Sequence, residues 1–133
     1  MINTINKISF KLAVNMMLLL FTSALVFHLL VISQIIPFDI VWGGRLNSVD
    51  DMLVFESVSI VINLIVLAVV AIKGGLLKPL IPMKLVNIIL WIMVGVFALN
   101  TVGNVFALNS LEAVLFTPLT LIGCVLCLRM VSR

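Results

Sequence analysis

The stretch MLVFESVSIVINLIVLAVVAI, residues 52–72, decides the fold. It holds a single carboxylate, Glu56, in an otherwise oily run, and Lys73-Gly74-Gly75 ends it abruptly. A hydrocarbon core of roughly 30 Å requires about 20 predominantly apolar residues of helix, which is the length found here. Ser48 followed by Asp51 resembles a capping pair at its start, and Asp50 and Asp51 suit the positive end of the helix dipole.

Three further runs of the same kind flank it: 12–36, closed by Pro37; 85–108, after the Lys78-Pro79 and Pro82 loop; and 111–128. Asn109 is the expected N-cap of the last, with Glu112 three residues on. The 133 residues are 64% hydrophobic and 10% charged, against about 25% charged in an ordinary soluble domain. Such a chain takes lipid as its solvent. The expected fold is all-α: one polytopic domain, residues 1–133, forming a four-helix transmembrane bundle. Lys7 and Lys11 precede the first run as they would in a signal peptide, but a cleavable apolar segment is about 7–15 residues long. This longer run is expected to be retained.

Cations give the orientation. Seven of the eight Lys and Arg residues fall on one face: Lys7 and Lys11, then Lys73, Lys78 and Lys84, then Arg129 and Arg133. Arg45 alone lies on the other. Cytoplasmic loops carry the excess of Lys and Arg, so both ends are expected inside, with a bacterial inner membrane as the location. Asp39, Asp50, Asp51, Glu56 and Glu112 segregate to the opposite face. Trp42 and Trp91 fall at interface positions. The net charge of +3 is spread thinly and never clusters with aromatics, so no nucleic-acid partner is expected.

Ionisable groups inside a span are functional candidates by default. His28 in the first run and Glu56 in the second are the two. Glu56, Ser59 and Asn63 recur at helical spacing on one face, as do Asn100, Gly103, Asn104 and Ala107 on the third helix. Thr117 and Thr120 of the fourth can join them. The expected site is an outward-facing polar pocket built from His28, Glu56, Asn63, Asn100 and Asn104. The loop 38–49 covers it, bringing Asp39, Trp42 and Arg45 around Gly43-Gly44. The competing reading is that Asn, Ser and Thr serve only as interhelical glue, worth about 0.6 kcal/mol per hydrogen bond. No phosphate loop, GxSxG or HExxH motif is present, and one histidine cannot make a multi-histidine metal site, so no cofactor and no metal are expected.

In size and span count the chain resembles small multidrug resistance transporters, fluoride channels and DoxX-like proteins. The first-helix glutamate of the multidrug family has no counterpart, since 12–36 contains neither Asp nor Glu, and no residue roles are carried over. Cys124-Val-Leu-Cys127 is similar in spacing to the CxxC of membrane thiol oxidoreductases, where the pair lies at the oxidising face and works with further cysteines. Here it lies at the cytoplasmic end and there are no others, so both are read as small apolar residues.

Three functional classes remain. The leading one is binding or transport of a small polar or cationic molecule, with a homodimer enclosing any pathway. The alternative is a non-catalytic accessory subunit of a larger membrane complex, docking through Gly95, Ala98, Gly103 and Ala107. The third is an enzyme using His28 and Glu56 as an acid–base pair, for which the two must lie within about 2.6–3.2 Å. In every case the lipid bilayer is a partner.

Overall fold

A computed structural model describes residues 2–106 and 110–133. The described residues are helical and contain no strand: α1 (Ile2–Ile5), α2 (Phe10–Ile32), α3 (Val49–Lys73), α4 (Met83–Val105) and α5 (Ser110–Val131). Two 3₁₀ turns, Phe38–Ile40 and Trp42–Gly44, lie between α2 and α3. Helices α2 to α5 supply four segments long and apolar enough to cross a membrane. Even the shortest, the 19 residues Ala113–Val131, reaches about 29 Å at a rise of about 1.5 Å per residue. These four helices are compatible with a transmembrane bundle and suggest a multi-pass membrane protein.

The chain divides into two compact units, a central one (Leu19–Ala68) and a terminal one (Met1–Leu18 with Val69–Arg133). In the central unit α3 starts as its sequence implies. Ser48 Oγ accepts from the Asp51 N–H at 3.1 Å, and Asp51 Oδ2 accepts from the Asn47 N–H at 3.4 Å. Two orphan amides are thereby satisfied.

Helix α2 stops at Ile32, four residues before the apolar run ends. Gln34 takes a left-handed conformation, φ 61°. Its N–H donates to Val31 O and the Ile35 N–H donates to Leu30 O, the reciprocal pair of a Schellman cap. Oily residues alone gave no sign of this stop. The same cap closes α3, with Gly75 at φ 74° and the Leu76 N–H donating to Ala71 O at 2.9 Å.

Helix α3 is inside out by the standards of a soluble protein. Glu56 and Asn63 lie on its buried stripe with Met52, Val66 and Val70. Val54, Phe55, Val58, Val61 and Ile65 are exposed at 48–62%. In water the charged and amide groups would face out, because burying them costs several kcal/mol when unpaired. The arrangement fits a helix whose outer solvent is hydrocarbon.

In the terminal unit α4 and α5 pack closely. Val86, Leu90 and Met93 are buried on α4 and Leu126, Cys127 and Met130 on α5. Within this chain Gly95 and Gly103 have nothing within 4 Å of an added Cβ. At Gly123 a Cβ would stand 2.7 Å from the Phe97 ring. Residues 107–108, the Asn109 cap and the side chain of Glu112 lie outside the described set.

Candidate functional site

Glu56 is seven residues into α3, and its side chain is fully buried. Both of its oxygens are engaged within the central unit. His28 Nδ1 lies 2.6 Å from Oε2, and Trp42 Nε1 donates to Oε1 at 2.8 Å. His28 comes from α2, four residues before its end, or about 6 Å along the axis. It is therefore shallower than its place in the apolar run implies.

Trp42 comes from the connecting loop, and its backbone is strained. Its φ is 55°, a region that a bulky residue adopts only when its surroundings impose it, at a cost of about 1–3 kcal/mol. Here the constraint is visible. Val41 on one side and Leu46 on the other are buried in a cluster with Val31 and Met52, backed by Ile32, Ile36 and Phe38. The turn Trp42–Gly44 is thus plugged down at both ends. Its third residue, Gly44, has φ 70° and leaves a Cβ only 3.4 Å from Asp39 O. The indole rests edge-on against Phe55, with ring centroids 5.4 Å apart, and remains 42% exposed.

Chemically this is a carboxylate between two different partners. An indole N–H can only donate, so Oε1 is an acceptor in every protonation state that keeps the Trp42 bond. Between Oε2 and Nδ1 a single proton is shared. It sits on Nδ1 when the carboxylate is ionised and on the carboxyl when Nδ1 is the bare nitrogen of a neutral ring. His28 is 16% exposed at its side chain, so the imidazole connects a buried carboxylate with the outside of the unit. Trp42→Phe is expected to keep the contact with Phe55 and lose the bond to Oε1. Destabilisation of about 1–3 kcal/mol follows from leaving the buried Oε1 without its donor, readable as a lowered unfolding midpoint in detergent.

The other expected members are placed differently. Asn63 is buried, but its amide donates to Ser59 O on its own helix at 3.0 Å, and its Oδ1 has no partner among the described residues. Arg45 is exposed, and Glu56 is paired with His28 rather than with it. Asn100 and Asn104 belong to the terminal unit. Asn100 is exposed, while Asn104 Nδ2 donates to Thr120 Oγ1 at 3.4 Å. Thr101, not singled out in the sequence, joins them, its hydroxyl 2.9 Å from Thr120 Oγ1 and 2.7 Å from Phe97 O. Thr117 Oγ1 is buried without a partner among the described residues. Both cysteines are free thiols, with Cys124 Sγ 3.7 Å from Val94 O and Cys127 buried.

No protein-family model matches this chain, and no curated protein and no solved structure is significantly similar to it.

Proposed function

We propose that this chain is a multi-pass protein of a bacterial inner membrane, its two ends cytoplasmic, that binds a small polar or cationic molecule at Glu56. The observation that supports the reading is a buried carboxylate whose Oε1 is capped by an indole from a strained, partly exposed loop. A ligand N–H or cation takes the place of Trp42 Nε1 on Oε1, and the turn relaxes as the indole leaves. Trp42 is then a removable lid, and His28 holds Glu56 in position. Asn63 Oδ1, buried and unpartnered, offers the next acceptor about 10 Å further along the same helix stripe. Seven cations on one face of the sequence support the orientation.

The test uses Trp91→Phe, which leaves Trp42 as the sole indole. Titration with guanidinium, methylammonium and tetramethylammonium is expected to shift Trp42 emission saturably, and Glu56→Gln to abolish the response. Saturable binding that is unchanged in Glu56→Gln, or no response to any of the three, would remove the reading.

A second reading is favoured by one distance. His28 and Glu56 at 2.6 Å meet the geometric requirement of an acid–base pair. Under that reading Trp42→Phe preserves turnover, whereas under the lid reading it weakens the gate and raises apparent affinity.

A further inference from the structure

A second feature lies wholly within the terminal unit. The first turns of α2, the end of α3, the loop after it, the start of α4 and the last residue of the chain line an open cavity of about 540 Å³. Lys11, Lys73 and Arg133 all line it, together with Asn15 and no acidic residue. The sequence explains why no carboxylate side chain answers these charges. The only acidic residue of the terminal unit is Glu112, which lies 17 residues before Arg129 on the same helix, or about 25 Å away. Among the described residues the one ion pair is His28–Glu56 of the other unit.

Two of the three cations are held in place. Lys73 Nζ donates to Asn87 Oδ1 at 2.8 Å, leaving two of its three protons to give. The Arg133 guanidinium stacks over the Phe10 ring, 4.4 Å from its centroid, which leaves its in-plane N–H fork unspent. One wall is closed by a contact that only glycine permits, since a Cβ on Gly74 would lie 2.6 Å from Val14 Cγ1. The remaining lining includes Leu76 and Met83.

Positive, donor-rich and apolar at its walls, the cavity has the chemistry of a phosphate ester with an organic body attached. We propose that it binds a phosphate-bearing anion, with Lys11, Lys73 and Arg133 taking the charge, and that a phospholipid headgroup is the occupant suited to its volume. Basic pockets between spanning helices take anionic headgroups in this way, each cation strengthening binding by about fivefold.

The experiment is native mass spectrometry of delipidated protein with phosphatidylglycerol or phosphatidylcholine, alongside thermal shifts in millimolar inorganic phosphate. Phosphatidylglycerol is expected to bind more tightly than phosphatidylcholine. Lys11→Gln/Arg133→Gln, which keeps the Lys73–Asn87 bond, is expected to weaken it by roughly twenty-fivefold. The charge-matched Lys7→Gln/Lys78→Gln, neither of which lines the cavity, changes it less than twofold. Stabilisation by inorganic phosphate alone, lost in the first variant and kept in the second, assigns the same site to a soluble phosphate. Equal affinity for the two lipids with no effect of phosphate, or equal losses in the two variants, overturns the proposal. The lipid comparison on the unaltered protein decides it even if the first variant is not recovered.

Discussion

Glu56→Gln is expected to leave the protein folded and to abolish cation binding, whereas Glu56→Leu is expected to destabilise it. The contrast follows from what each residue offers the two neighbours. Glutamine keeps a carbonyl oxygen where Oε1 accepts from Trp42 Nε1, and its amide can donate to the bare Nδ1 of a neutral His28, so both contacts of 2.6 and 2.8 Å have a replacement. It removes the charge alone. Leucine removes both acceptors at once. Trp42, 42% exposed, can turn its N–H to water or headgroups, but His28 is 16% exposed and loses its one side-chain hydrogen-bond partner among the described residues. Leaving a buried polar group unpaired costs about 1–3 kcal/mol. The turn also loses one of the contacts that hold Trp42 in its left-handed conformation. Detergent unfolding curves of the two variants, read beside their Trp42 emission in the absence of ligand, separate these effects. If Glu56→Leu is as stable as the unaltered protein, the carboxylate is not a structural centre and the account of the turn is wrong.

How much of this was legible in the sequence depends on the kind of information each feature needs. The four helices are a matter of composition over about 20 residues, and Ser48 with Asp51 is a local signal that the structure realises at 3.1 Å. The burial of Glu56 and Asn63 together follows from helical spacing, because 52, 56, 59 and 63 lie on one stripe. Rotation about a helix axis is harder to read. Asn100 and Asn104 share a face in the sequence, yet the side of α4 that meets α5 is centred on Phe97, Thr101 and Asn104. At about 100° per residue, Asn100 lies about 60° from Phe97 on the side away from Thr101, enough to leave it exposed. Nothing in the sequence of α4 alone fixes that angle, since apolar residues surround the helix and lipid accepts any of them. The Trp42–Glu56 bond joins residues 14 apart, across an irregular loop and the first turns of α3, and depends on two backbone conformations, at Gln34 and Trp42, that non-glycine residues seldom adopt.

The same rotation makes Gly123 a sensitive position in the terminal unit. Gly123→Leu is expected to cost about 1–3 kcal/mol, the range for inserting side-chain atoms into a filled contact, while Gly95→Leu and Gly103→Leu, with nothing within 4 Å of either Cβ, are expected to be close to neutral. The difference is steric. A Cβ at 123 meets three Phe97 ring atoms at 2.7–2.9 Å, so the ring must swing away or α4 and α5 must separate. Separation would also stretch the hydroxyl contact of 2.9 Å between Thr101 and Thr120. Swinging the ring costs less, which identifies the rescue: Phe97→Ala makes room for the new side chain, and Gly123→Leu/Phe97→Ala is expected to recover at least half of the loss. A double-mutant cycle on unfolding midpoints measures this coupling. Additive effects at 97 and 123 would mean that the two residues do not touch, and a neutral Gly123→Leu would mean that α4 and α5 meet through another face.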